Sequence, residues 1–304
     1  MLYLHRVSCQ DFQQSLNNYL AEADLKKTDI VKLLNQDIEG EHAAIIQYLI
    51  HAYGMGEGEM ACEIEAITRE EMRHLDWLAE VVVELGGTPS FSRGTMRLAG
   101  KSVSAWMKND VKAEVDAINM YEEHIITIKD TKIKRLLERI LSDEKSHHDD
   151  FKNFVKEAAK EGLKDIRGPR KDRTIGILNW GIEHEYTVIL QYLLHSYLAP
   201  NEEMKKEMQD QAINEMQHLG WLSEKMVSRG GNPRIEHTKI DHSKKAVNML
   251  DADIKIEKEV AAEYDRASKE VSDVKLKKLL RRIRDHELYH VKIFSDLKKS
   301  VEEK

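Results

Sequence analysis

Cysteine is nearly absent. Cys9 and Cys62 are the only two in 304 residues, too few for a disulfide framework or for paired Cys-x-x-Cys clamps, so a four-cysteine iron centre is excluded within this chain. Proline occurs four times and aromatic residues make up 6%, while glutamate, lysine, leucine, alanine and methionine are frequent. With few β-branched runs bounded by turns, this composition favours helices over strands. No apolar run approaches a bilayer span, and Met1 to Gln10 holds no basic segment leading into an apolar core. The chain therefore reads as soluble and cytoplasmic, with no membrane partner. An excess of positive charge is missing too. The net charge is −7 and the charged residues, 33% of the total, mix both signs, which suits solvated helix faces; no DNA or RNA partner is expected. The longest basic run, Arg167 to Arg173, reads as a solvated connection. What remains is 41% hydrophobic, sufficient for real cores and, at this length, for two domains.

The sequence repeats itself. Glu70-Glu71-Met72-Arg73-His74-Leu75-Asp76-Trp77-Leu78 returns as Asn214-Glu215-Met216-Gln217-His218-Leu219-Gly220-Trp221-Leu222, 144 residues on. At the same offset Gly86-Gly87-Thr88-Pro89 returns as Gly230-Gly231-Asn232-Pro233, and Gln47-Tyr48-Leu49-Ile50-His51 as Gln191-Tyr192-Leu193-Leu194-His195. A repeat this long indicates two copies of a whole domain. Apolar periodicity and turn residues predict helices at roughly 29–54, 57–85, 102–129 and 131–160, then at roughly 174–199, 201–229, 243–270 and 273–300. Thr28 is a plausible cap for the first of them. Between the second and third helix of each copy a longer stretch, Thr88 to Lys101 in the first, makes a crossover instead of a hairpin. The expectation is an all-α chain of two tandem four-helix bundles: a lead segment over 1–28, a bundle over 29–165, a linker over 166–173 and a second bundle over 174–304.

Carboxylates interrupt the apolar stripes of these helices. Glu41 stands between Ile38 and Ile45, Glu71 between Ile67 and Leu78, and Glu114 between Val111 and Ile118; Glu144 and His147 stand between Ile140 and Phe151. The second copy repeats this with Glu185, Glu215, Glu257, Glu287 and His290. Residues three apart share a helix face, so Glu71 with His74, and Glu215 with His218, can offer an oxygen and a nitrogen to one ion. Four inward, unpaired carboxylates per bundle would each cost several kcal/mol or take up a proton, and metal ions supply the compensation. Four carboxylates and two imidazoles suit two first-row divalent ions with bridging carboxylates. The spacing strengthens this reading: Glu41 to Glu71, Glu114 to Glu144, Glu185 to Glu215 and Glu257 to Glu287 are all 30 residues, which sets each pair at one height on a helical hairpin.

Glu on one helix, Glu-x-x-His on the next, Glu on the third and Glu-x-x-His on the fourth resembles the ferritin-like di-iron carboxylate proteins. The stretches Glu41…Gln47-Tyr48, Glu71-Met72-x-His74-x-Asp76 and Asp143-Glu144-x-x-His147 look most like bacterioferritins. The resemblance covers both copies and implies a dinuclear iron centre in each, for which manganese or a mixed manganese and iron pair would use the same ligands. It implies that Glu71 and Glu144 bridge the first pair, with Glu41, His74, Glu114 and His147 terminal. In the second pair Glu215 and Glu287 bridge, with Glu185, His218, Glu257 and His290 terminal. Tyr48 and Tyr192 would stand near the metals as hydrogen-bonding or redox-active phenols. The implied activity is of ferroxidase type, oxidising Fe(II) with O2 or H2O2. Alternatives with the same ligands are peroxide detoxification, as in rubrerythrins or manganese catalases, an organic-substrate oxygenase, or a metal-binding scaffold without catalysis. A peroxide reductase built this way would need an external electron donor, since no rubredoxin-type cysteines are present.

Met72 and Met216 occupy the position at which bacterioferritin subunits ligate haem across a twofold interface. A tandem chain could offer both to one haem between its halves, although methionine is common at such positions as a flexible filler, and filler is the expectation here. Neither half carries the short fifth helix that bacterioferritins use around the fourfold axes of their shells, so a 24-subunit cage is not expected, while a smaller homo-oligomer stays open. Asp76, Glu70 and Asp143 become Gly220, Asn214 and His286 in the second copy. Losing acidic groups beside the ligands predicts two centres of unequal metal affinity or rate. His51, His124 and His195 lack a full partner set and are expected to be satisfied polar residues instead of ligands.

Overall fold

The computed structural model describes residues 25–161 and 173–303; the expected lead helix and most of the expected linker lie outside the described residues. Among those residues lie eight helices and no strand: α1 (Lys27–Met55), α2 (Glu59–Glu84), α3 (Val103–Thr127), α4 (Thr131–Glu161), α5 (Arg173–Tyr197), α6 (Glu202–Ser228), α7 (Ala246–Glu270) and α8 (Val274–Glu302). Among the described residues no helix is long and apolar enough to cross a membrane.

Local chemistry explains where several helices begin and end. Ser102, Asn201 and Asp273 each accept a backbone N–H of the following turn at the starts of α3, α6 and α8. Thr28, by contrast, is not a cap. It lies inside the first turn of α1, because the Lys26 carbonyl already accepts from the Asp29 and Ile30 amides at 2.8 and 3.1 Å, and Lys26 makes no side-chain cap bond. The repeated Gly-Gly after α2 and α6 has two separate causes. Gly86 and Gly230 take left-handed φ of 82° and 73°, which a Cβ disfavours. A Cβ on Gly87 would stand 2.7 Å from Val31, and one on Gly231 2.8 Å from Ile175, so the second glycine lets the chain close against α1 or α5.

The helices pair as hairpins, α1 with α2, α3 with α4, α5 with α6 and α7 with α8, and contacts of α1 with α3 and of α5 with α7 join them into two bundles. The crossovers, residues 85–102 and 229–245, run along α1 and α5. Each is fastened by a glutamine oxygen: Gln47 accepts the Arg97 amide at 2.5 Å and Gln191 the Asp241 amide at 2.9 Å.

The halves meet reciprocally, α1 touching α6 and α2 touching α5, the pattern of a twofold axis within one chain. One apolar core runs across the junction, containing Leu34, Ile46, Leu75, Ile189 and Leu219. Near the axis the repeat meets itself, since the His42 imidazole accepts a hydrogen bond from the hydroxyl of its own counterpart, Tyr186. Two smaller cores, around Tyr48 and Phe151 and around Tyr192 and Phe294, fill the opposite ends of the bundles. Between core and core, in each half, lies a layer of buried charge.

Candidate metal centres

In the first half α1 supplies Glu41, α2 Glu71 and His74, α3 Glu114, and α4 Glu144 and His147; all six are buried. They fall into two overlapping groups, Glu41, Glu71, His74 and Glu144, and Glu71, Glu114, Glu144 and His147, each with ligand atoms within 4.8 Å of one another. Glu71 and Glu144 belong to both. Glu71 reaches each imidazole with a different oxygen, 2.9 Å from His74 Nδ1 and 3.0 Å from His147 Nδ1, and Glu144 stands 3.0 Å from His74 Nδ1. The second half repeats the grouping as Glu185, Glu215, His218 and Glu287, and Glu215, Glu257, Glu287 and His290. There Glu215 stands 2.7 Å from both His218 Nδ1 and His290 Nδ1, and Glu287 lies 3.2 and 3.3 Å from them. The structure thus brings all twelve residues singled out in the sequence into two compact layers.

Each outer carboxylate is held by phenols. Tyr48 donates to Glu114 at 2.5 Å, and Tyr192 donates to Glu257. A second phenol per half was missed in the sequence: Tyr121 donates to Glu41, and Tyr264 to Glu185. A signal was available, because each lies seven residues beyond the glutamate of its own helix, two turns along the same face. These bonds occupy one oxygen of Glu114 and Glu257 and leave the other, Oε2, buried without a partner.

Electrostatics sort the ligands. Burial, reinforced by repulsion from Glu144 and Glu71, holds Glu41 and Glu114 well above the usual carboxylate range. Burial pushes Glu71 upward as well, yet His147 and His74 outweigh it and bring the carboxyl down to about 2. Burial opposes charge on His147, but Glu71 and Glu144 raise it to about 10. Glu185 and Glu257 are likewise held high by burial and by Glu287, while His218 is driven up to about 12 by the carboxylates around it against the effect of burial.

The outward nitrogens separate the halves. His74 Nε2 lies 3.3 Å from Asp143, and His147 Nε2 3.0 Å from Glu70. A carboxylate at Nε2 fixes that nitrogen as the donor and turns the Nδ1 lone pair inward. In the second half His218 Nε2 faces His286 Nδ1 at 2.9 Å, and Asn214 bonds Gln211. Asp76 proves not to stand beside a ligand. It accepts from Tyr197 of the other half at 2.8 Å, and its counterpart Gly220 lies beneath the Tyr53 hydroxyl at the reciprocal contact, so this exchange concerns the junction.

Apart from His42, the remaining buried histidines are paired with aspartates: His51 with Asp110 at 2.8 Å, His195 with Asp253 at 2.9 Å and His124 with Asp37 at 2.8 Å. Gln47 and Gln191 donate to the first two aspartates, which links each crossover to the bundle interior. Met72 and Met216 both line one cavity of about 510 Å³ between the halves, together with His42, Tyr186, Arg73 and Lys206.

The family model described as "Ferritin-like domain" matches this chain twice, over residues 31–160 and 175–302. Bacterioferritin BfrA of Mycobacterium tuberculosis is 31% identical over 128 residues, covering 40% of this chain and 80% of the relative. Bacterioferritin of Desulfovibrio desulfuricans is 30% identical over 135 residues, 42% of this chain and 75% of the relative. The solved structure of that D. desulfuricans protein, described with its diiron site in different catalytic states, has a TM-score of 0.43 and 29% identity, covering 45% of this chain and 84% of that one.

Proposed function

Because the chain belongs to the ferritin-like domain family along both of its halves, we propose that it is a di-iron oxidoreductase of ferroxidase type, with one dinuclear centre in each bundle. The observation that carries this reading is a set of buried ligand atoms that converge on one another without well-directed hydrogen bonds. Both oxygens of Glu71 and of Glu215, Oε2 of Glu114 and of Glu257, Oε1 of Glu144 and of Glu287, and Nδ1 of His74, His147 and His290 are excluded from solvent and make no directed hydrogen bond, although carboxylate and imidazole approach to between 2.7 and 3.0 Å. Groups of this kind left unpaired cost several kcal/mol each, and two divalent cations per half satisfy them. A mixed oxygen and nitrogen donor set fits iron or manganese.

In this reading Glu71 and Glu144, and Glu215 and Glu287, offer oxygens to both metal positions; Glu41 with His74, Glu114 with His147, Glu185 with His218 and Glu257 with His290 complete them. When bound, such a pair supplies the electrons that reduce O2 or H2O2 as Fe(II) becomes Fe(III). The protein's own part is positional. Tyr48, Tyr121, Tyr192 and Tyr264 fix the terminal carboxylates, and the phenols of Tyr48 and Tyr192 are the nearest hydroxyl protons to Glu114 and Glu257. Asp143 and Glu70 orient the first-half imidazoles. The test is anaerobic loading of metal-free protein with Fe(II), then air: loss of Fe(II) over several additions is expected, whereas stoichiometric binding without oxidation would make the chain a metal buffer.

A second cofactor reading rests on Met72 and Met216. Two thioethers lining one largely apolar cavity of about 510 Å³, with Lys206 and the Glu70-paired Arg73 at its wall to face carboxylates, suit a single haem held between the halves. A Soret band that disappears in Met72→Ala and Met216→Ala supports this, and its absence from protein supplied with haem returns both methionines to packing.

A further inference from the structure

The halves differ beside the metal layer, where the crossover passes α1. In the first half a cavity of about 230 Å³ lies between α1, α3 and the crossover, and Gly40, Ala44, Gly94, Ala113 and Ala117 form much of its wall. Its inner end is chemical: Glu41, Tyr48, Tyr121 and Glu144 line it. The Arg97–Asp116 ion pair, partly exposed, stands among its outer residues.

The second half carries a different set at the same places. The register is fixed by matching bonds, Arg97 to Gln47 as Asp241 to Gln191, and Tyr121 to Glu41 as Tyr264 to Glu185. By that register the five small residues become His184, Val188, Thr238, Ile256 and Val260, all larger. Trp180, in place of Gln36, stacks on His184 with ring centres 6.0 Å apart and meets the Tyr264 ring edge-on at 5.1 Å. Val188 is 1% exposed, whereas Ala44 is partly exposed. The phenol that faces a cavity in the first half is therefore covered by an indole in the second.

We propose that the first-half cavity is a binding site for a small uncharged ligand of the metal centre, and that the second centre has no such site. The space holds about eight water molecules at the ~30 Å³ each occupies in the liquid. Its mostly apolar wall and its acidic inner end favour an uncharged molecule over an anion. Peroxide-sized oxidants and small neutral organic molecules share this chemistry. The two centres thus divide into one open to exogenous ligands and one enclosed. The inference rests on the di-iron reading for the metal, but not for the cavity itself.

Two measurements separate these. In a chain with Cys9 and Cys62 replaced by serine, Ala44→Cys and Val188→Cys are labelled with methyl methanethiosulfonate, a small neutral reagent, and followed by mass spectrometry without any metal. Ala44→Cys is expected to react about tenfold or more faster; equal rates overturn the proposal. In ferrous protein, nitric oxide binding followed by stopped-flow absorbance is expected in two phases of equal amplitude. Ala113→Ile/Ala117→Val, which brings in the second-half residues, should slow only the fast phase, by about tenfold. A single phase, or a fast phase unchanged in the filled variant, overturns the proposal. Failure to bind iron, with the labelling difference intact, would instead count against the di-iron reading alone.

Discussion

Loading the centres with metal should expel about four protons per half, two for each divalent ion. In the metal-free second half, burial and the Glu287 charge raise Glu185 and Glu257 well above the usual carboxylate range, which favours their protonated forms. Burial also presses on Glu215 and Glu287, but their histidine partners overcome it and hold both below the usual range. His218 is raised to about 12, and His290 is raised too, by Glu215 foremost among its carboxylate partners, in each case against burial. Two carboxylates and two imidazolium ions then balance, so the buried layer is neutral. Metal binding requires all four carboxylates ionised and both Nδ1 lone pairs free; the outgoing protons match the incoming charge, and the layer stays neutral. The first half follows the same scheme through Glu41, Glu114, His74 and His147, with Glu144 shifted upward where Glu287 is shifted downward. The sign follows from competition: acid restores the protons, so affinity falls as pH falls, by about a hundredfold per metal for each pH unit. Titrating metal-free protein anaerobically with Mn(II) in weak buffer containing an indicator dye counts the protons. Fewer than about one per metal would refute the reasoning, since it would mean the ligands were already deprotonated or the ions bound elsewhere.

Three further outcomes follow from single contacts. Burial holds His42 down to about 4, with Ser92 and Tyr186 bonded to its two nitrogens, so acidification below the ordinary 6.5 protonates the unfolded chain first. Stability should drop by about 3 kcal/mol between pH 7 and pH 4 from this group, and thermal melts of His42→Gln should show that much less pH dependence; parallel curves contradict it. Tyr121→Phe and Tyr264→Phe remove the phenol bonds to Glu41 and Glu185 and should destabilise the metal-loaded protein by about 2 kcal/mol in denaturant titrations, with no change counting against those bonds. Glu70→Asn combined with Asp143→His gives the first centre the second centre's surroundings, and should shift its metal affinity by about 10- to 100-fold towards that of the second; an unchanged value would show that the outer partners do not set the inequality.

The fold and the ligand layer were legible for a physical reason. Helical periodicity marks which residues share a face, and a carboxylate inside an apolar stripe stands out because burying it alone is costly. Equal spacing of 30 residues between paired glutamates then sets them at one height on each hairpin. What periodicity does not report is which neighbour a face meets. Asp76 sits two residues from the ligand His74 along the chain, yet its side chain turns to the other half, where Tyr197 donates to it. The Asp37–His124 pair joins positions on α1 and α3 whose proximity depends on how two hairpins dock. The cavity beside the first centre is likewise a matter of small residues on three separate segments, and no one segment signals it.

The central claim is that each half holds its own dinuclear centre built on a shared glutamate. Iron counting on anaerobically loaded protein tests it most directly. About four ions per chain are expected, with Glu71→Ala and Glu215→Ala each retaining about two and the double variant almost none. A wild-type count near one, or a full count persisting in Glu71→Ala, would contradict it.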